Sequence, residues 1–107
     1  MQYHLETCAG SLEDCLISER AGATRIELNS AVHMGGLTPS LGLTKQALEA
    51  VDIPIITMIR PRGGGFIYHE YDQKVMFEDA EILLEAGVAG LAFGFLTPEL
   101  KIDLSAT

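Results

Sequence analysis

Two short stretches place chemically able side chains at a spacing of two. Glu6 and Cys8 form one pair, and Glu27 and Asn29 form another. Residues two apart on a strand share a face, so each pair would present its polar ends together. Carboxylates gathered in this way bind a metal or another ligand, or move a proton. The competing reading is a buried ion network with Arg25 and Arg60. Cys8 reads either as a ligand or as a small apolar side chain. Glu6, Glu27 and Arg60 are the candidate catalytic residues, and Cys8 is the candidate metal ligand.

A third stretch, Ile59-Arg60-Pro61-Arg62-Gly63-Gly64-Gly65-Phe66, suits a small anion. Arg donates in a fork that matches phosphate or carboxylate, and glycines let backbone N–H groups turn toward negative charge. Arg60, Arg62, Gly63 and Gly64 are therefore the anion-binding candidates; a flexible surface loop is the alternative. The run lacks the G-K-[ST] of a P-loop. Asn29 and His33 are further candidates at the rim of the site, His33 doubling as a solvated loop residue. No C-x-x-C and no pair of histidines at metal spacing occurs, so a strong zinc signature is missing.

Four short strands would carry these residues: Tyr3 to Cys8, Thr24 to Asn29, Pro54 to Arg60 and Gly90 to Leu96. The last two are apolar almost throughout, as in strands buried on both faces. Helical patterns lie between them. Ser11 begins the first, with Leu12, Leu16 and Ile17 on one face and Gly22 ending it. Ser40 begins the second, with Leu43, Ala47, Leu48 and Val51 apolar. The third runs from about Tyr71 to Ala86, with Val75, Met76, Ala80, Leu83 and Leu84 apolar and Gly87 beyond it. Asp103 to Thr107 reads as the start of a fourth helix.

This β-α alternation implies a parallel sheet flanked by helices. No G-x-G-x-x-G follows strand one, which counts against a Rossmann sheet. Carboxylates in mid-strand suit a barrel lumen that opens at the C-terminal ends of its strands. The fold class expected is α/β, a (β/α) TIM-barrel type of which residues 1–107 supply about the first four βα units. A weak repeat supports this. Ala-Gly precedes strands two and four, and Leu-Thr-Pro follows both.

The 107 residues carry a net charge of −8 and 48% hydrophobic residues. The charge argues against nucleic acid and anionic membranes as partners. No run of about 18 apolar residues is present to span a bilayer. The first residues lack the features of a signal peptide. A cytoplasmic protein is expected, with Cys8 and Cys15 as reduced thiols and Cys15 serving packing.

Over its whole length the chain resembles the CutC copper-homeostasis family. The matching stretches are Leu5 to Cys8, Ala21 to Leu28, Gly35-Gly36-Leu37-Thr38-Pro39-Ser40, Met58 to Gly64 and Phe93-Gly94. The resemblance implies a (β/α)8 barrel and a cytoplasmic role in copper handling, with Cys8 at the position of a family copper ligand. The family's second cysteine falls on Asn29, which is no thiol. Copper(I) prefers sulfur, so these positions offer it a single thiolate. Another divalent metal, or a metal- or phosphate-dependent barrel enzyme, is the alternative implied by similar barrels, and an inactive remnant is a third. Family members are roughly twice as long, and a TIM barrel takes about 200 residues or more. The chain is thus expected to be a fragment, the N-terminal half of such a barrel; assembly of two halves, as a homodimer or with a complementing C-terminal half, is the alternative. A small anionic ligand or metal ion is the expected partner.

Overall fold

The computed structural model describes residues 3–107. Four parallel strands, β1 (Glu6–Ala9), β2 (Arg25–Leu28), β3 (Ile55–Met58) and β4 (Gly90–Ala92), alternate with three helices, α1 (Leu12–Arg20), α2 (Leu41–Ala50) and α3 (Glu70–Ala86). The strands pair in chain order, β1-β2-β3-β4. A doubly wound sheet reverses its order at a switch point. This one never does, which is the winding of a TIM barrel. The sheet is a half-barrel with open edges at β1 and β4.

Local chemistry sets the helix ends. The Ser11 and Ser40 hydroxyls accept from the backbone N–H of Asp14 and Leu43, both at 3.0 Å. These bonds satisfy donors that a helix start leaves unpaired. Glu13 and Asp14 add negative charge in the first turn of α1. Gly22 and Gly87 follow α1 and α3 with φ of 104° and 114°, the left-handed conformation that closes a helix and that glycine adopts freely. Glu19, at the end of α1, accepts from the N–H of Asp52 at 2.7 Å and of Ile53 at 3.3 Å. One carboxylate thereby holds the α2–β3 turn against α1.

Alternation along the strands splits the sheet into two faces. Ala9, Ile26, Leu28, Ile55 and Thr57 point to the helices and are buried against Cys15, Ala47, Met76 and Leu83. Glu6, Cys8, Arg25, Glu27, Ile56 and Met58 point the other way, into what would be the lumen. The buried Cys15 fits the packing role expected for it.

The elements differ from expectation at particular points. Strand one starts at Glu6 rather than Tyr3, and strand four stops at Ala92 rather than Leu96. Beyond Ala92 the chain turns out of the sheet, and Leu96 makes an antiparallel bridge with Ile102. Asp103 to Thr107 forms a turn rather than a helix. The Asp103 carboxylate accepts from Ala106 N at 3.1 Å, and Thr107 N donates to Asp103 O at 3.0 Å. Ile17, Val75 and Leu84, expected on packed faces, are exposed. Cys15, Met76 and Leu83 occupy the centres of those contacts instead.

Candidate functional site in the lumen

The register of the sheet brings the strand candidates together. Cys8 stands beside Glu27, and Glu6 stands beside Arg25, each across one strand spacing. Glu6 pairs with Arg25, Oε1 to Nε at 2.7 Å. Of the ion network considered for the two carboxylates, this pair forms, and Glu27 takes no part in it.

Glu27 is held by an amide. Asn29 Nδ2 lies 3.2 Å from Glu27 Oε1, 3.2 Å from the Glu27 carbonyl and 3.4 Å from Cys8 Sγ. Two amide hydrogens are thus shared among three acceptors. Asn29 is 1% exposed, so its amide is a fixed support that ties thiol to carboxylate. Burial, followed by the negative charges of Glu27, Asp14 and Glu6, pushes the Cys8 thiol above its ordinary pKa. An approaching cation would act in the opposite sense and favour the thiolate.

The loop after β2 is built around Asn29. Ser30 bridges to Leu37 in antiparallel fashion, and the Ser30 hydroxyl donates to the Thr38 carbonyl at 2.9 Å. Gly36, at φ 94°, passes so close to the Asn29 amide oxygen that any Cβ there would collide with it. That explains the glycine. His33 sits in a short 3-10 turn, Val32–Met34, exposed at the rim. The structure does not join it to Cys8 or Glu27.

Arg60 locks this loop to β3. It is 8% exposed, and its Nη1 donates to the carbonyls of Met34 at 3.1 Å and Gly36 at 3.3 Å. Thr38 completes the clasp. Its hydroxyl accepts from Arg60 N at 2.9 Å and donates to Arg60 O at 3.2 Å. The guanidinium lies 4.8 Å from the Phe66 ring centre. Its Nε and the Tyr68 hydroxyl are both buried without a well-formed hydrogen bond, and the guanidinium stands close enough to the hydroxyl to interact with it. Burial raises the Tyr68 pKa, against the opposing pull of Arg60.

Arg62 is engaged within its own loop. It pairs with Asp72 at 3.0 Å, donates to the carbonyls of Gly63 and Ile67, and lies over the Tyr68 ring at 4.9 Å. Arg60 with Phe66 and Arg62 with Tyr68 therefore form two matched cation–π pairs that fold the glycine run back on itself. The expected anion-binding arginines stabilise the loop in this structure. Gly64 and Gly65 both adopt positive φ, where no added Cβ would meet a neighbour.

Sequence reasoning named Thr38 and Phe66 only as members of loop stretches, without a role, and did not single out Tyr68 or Asp72. A signal was present for the aromatics: Phe66 and Tyr68 repeat the two-residue spacing of Arg60 and Arg62. Asp72 carried none, because it lies on α3 beyond the loop. Glu27, Met58, Phe66, Ala92 and Gly94 line an open hollow of ≈ 600 Å³ on the lumen side. Among the described residues, no three of His, Cys, Asp and Glu gather closely enough to hold a metal ion.

The comparisons with known proteins agree with this architecture. The CutC family model matches residues 3–107. The chain belongs to the CutC family. Relatives include a CutC family protein of Treponema denticola, 48% identical over 92% of this chain and 40% of its own length. The human copper homeostasis protein cutC homolog is 43% identical over 92% of this chain and 36% of that protein. The chain thus spans about two fifths of the length of the curated relatives it matches. The crystal structure of the CutC protein from Streptococcus agalactiae superposes with a TM-score of 0.90 at 36% identity, covering 98% of this chain and 51% of that one. A Burkholderia cenocepacia protein described as a phosphonomutase shares the fold alone, with a TM-score of 0.62 at 15% identity.

Proposed function

We propose that the chain serves copper homeostasis in the cytoplasm, by offering copper(I) the Cys8 thiol from the lumen wall. The observation that carries this is the Cys8–Asn29–Glu27 cluster. It holds an open thiol beside a carboxylate on the face that the helices leave free. Membership of the copper-homeostasis family supports the assignment. The described residues do not form a complete cage, so copper here is cargo held by a single soft ligand. Glu27 contributes negative charge that favours any cation. No described helix is long and apolar enough to cross a membrane.

The test is a copper(I) competition titration against a chelator of known affinity, on the reduced chain and on Cys8→Ser. The wild-type chain is expected to hold one copper per Cys8, and the serine variant to lose it. Equal affinity in the two would remove Cys8 from the site.

A second reading rests on the orphaned Arg60 Nε. A buried donor without a partner costs about 1–3 kcal/mol; the Tyr68 hydroxyl beside the guanidinium offsets part of this, and a bound carboxylate or phosphate would relieve the rest after movement of the Gly63–Gly65 loop. Glu27 would then face such a ligand as proton carrier, in a barrel enzyme. Amide shift changes confined to residues 60–68 on adding inorganic phosphate would support this reading, and unchanged spectra would discard it.

A further inference from the structure

The Asn29 amide is gripped from two sides. In front, its Nδ2 serves Glu27 and Cys8. Behind, the backbone of Gly36 lies so close to its Oδ1 that not even a methyl group would fit on Gly36. Acceptors in front and a wall behind leave the amide one orientation. Without that wall an asparagine can turn about its last torsion, whose preferences are broad. Its hydrogens would then leave the thiol and the carboxylate.

The wall is not self-supporting. Gly36 belongs to the loop of residues 30–37, which begins with Ala31 at φ 47°. That left-handed conformation is unfavourable for any residue with a Cβ. The Ala31 carbonyl accepts from Met34 N at 2.8 Å and from Gly36 N at 3.2 Å. Val32 and Met34 are exposed, so packing does little to hold the turn. Strain of this kind persists only where the surroundings impose it. Arg60 is the group placed to do so. Its buried guanidinium donates to the Met34 and Gly36 carbonyls, and its Nη1 takes the space that a side chain on Gly35 would need. The Arg60 backbone is fixed in turn, because its N–H and carbonyl bond only to Thr38, through the Thr38 hydroxyl and N–H. Asn29 follows β2 and Arg60 follows β3, the two inner strands of the sheet. The path from Arg60 to Asn29 therefore lies away from both sheet edges.

We propose that Arg60 is a positioning residue for the Cys8–Glu27 pair, acting through Gly36 and the Asn29 amide. This role rests on the reading of the Cys8–Asn29–Glu27 cluster as the functional site. It gives the arginine run a task toward that site which needs no ligand at the arginines. Arg60 holds the Gly36 carbonyl, Gly36 blocks rotation of the Asn29 amide, and the amide keeps thiol and carboxylate on one donor. Arg62 has no place in this relay. Its donors go to Asp72, Gly63 and Ile67. The two arginines of one run thus differ in role, one serving the site and the other the loop.

The side-chain amide resonances of Asn29, recorded by NMR on the isotope-labelled chain without metal, test the idea. In wild type the two amide protons are expected at distinct shifts and in slow exchange with water. Arg60→Met keeps most of the side-chain bulk and removes its donors. It is expected to draw both resonances toward those of a free asparagine side chain and to speed their exchange about tenfold. Thr38→Val loosens Arg60 from its backbone side without changing charge, and a smaller change in the same direction is expected. It decides the matter if Arg60→Met does not fold. Arg62→Met loosens the same run away from Gly36 and should leave Asn29 as in wild type. An arginine that only stabilises the fold would lower the urea midpoint and leave the Asn29 resonances in place. That outcome would overturn the proposal, and so would an equal change in Arg62→Met. Copper takes no part in the measurement. Unchanged copper affinity in Cys8→Ser would therefore sink the copper reading alone, and an unmoved Asn29 amide would sink this one alone.

Discussion

The two faces of the sheet come from the same four strands and behave as different materials. On the helix side, Ile26, Leu28, Ile55 and Thr57 have at most 1% exposure, packed against three helices. On the lumen side, Glu6, Arg25 and Cys8 are exposed, and Glu27, Ile56 and Met58 are half-buried. One residue of shift along a strand separates a side chain that stabilises from one that is free for chemistry. The lesson is that stability and function here are interleaved in sequence and segregated in space. Substitutions can therefore be chosen to strike one and spare the other.

The largest contrast is expected between neighbours on β2 and β1. Leu28→Ala removes a fully buried side chain and leaves a cavity, at a cost of about 2–5 kcal/mol. Cys8→Ser changes an open lumen side chain and should stay within about 0.5 kcal/mol of wild type. Urea unfolding of both variants checks this, read as a shift in midpoint at constant slope. Comparable shifts would mean that the lumen face is packed in solution.

Asn29 sits on the boundary between the two materials and belongs partly to each. Its side chain is buried like the core and polar like the lumen. Asn29→Ala removes the donor shared by Glu27 and Cys8 and opens space under Gly36. The expected cost is about 1–3 kcal/mol, smaller than that of Leu28→Ala, again by urea midpoint. A core residue would show nothing further. For Asn29 we also expect slower alkylation of Cys8 near neutral pH, because the N–H donor that favours the thiolate is gone.

Much of this division was legible in the residues alone. Strict alternation in β1, β2 and β3 assigned lumen and helix faces correctly, because a strand has no choice of period. Serine caps and closing glycines placed the helices to within a residue or two. Two kinds of feature escaped. Helix faces were misjudged at Ile17, Val75 and Leu84, since α1 and α3 carry apolar residues on more than one side and only contact selects among them. The internal contacts of the arginine loop were also not legible, because composition tells which groups a residue can pair with and only geometry tells which neighbours it meets. Arg62 finds Asp72 ten residues away, and Arg60 spends its donors on Met34 and Gly36. Of the five residues expected to converge, Cys8, Glu27 and Asn29 form a cluster, while Glu6 and Arg60 are tied to Arg25 and to the loop after β2.

The thiols offer a finer test of the same comparison. Cys8 opens to the lumen and Cys15 is buried among the helices. In the folded chain an alkylating reagent should label Cys8 and leave Cys15 untouched until unfolding. The reactive species is the thiolate, and the Cys8 pKa is raised. Its labelling rate should therefore climb at higher pH than that of an ordinary exposed thiol. Glu27→Gln removes one of the charges responsible, so the climb should move to lower pH. It should not return fully to the ordinary position, because burial is the larger cause and remains. A profile unmoved by Glu27→Gln would show that the carboxylate does not face the thiol.

The smallest expected effect lies within the lumen itself, at Glu6 and Arg25. Their contact is short, 2.7 Å, yet the side chains are 34% and 47% exposed. Water competes for both charges, and holding two long side chains in one geometry costs entropy. Pairs of this kind contribute about 0.2–1 kcal/mol. A double-mutant cycle of Glu6→Gln and Arg25→Met, read by urea unfolding, should give a coupling in that range that shrinks as salt is added. A coupling of about 3 kcal/mol or more, insensitive to salt, is the behaviour of a buried pair. It would mean that water is excluded from the lumen face of β1, and the contrast between the two faces of the sheet would then not hold for the protein in solution.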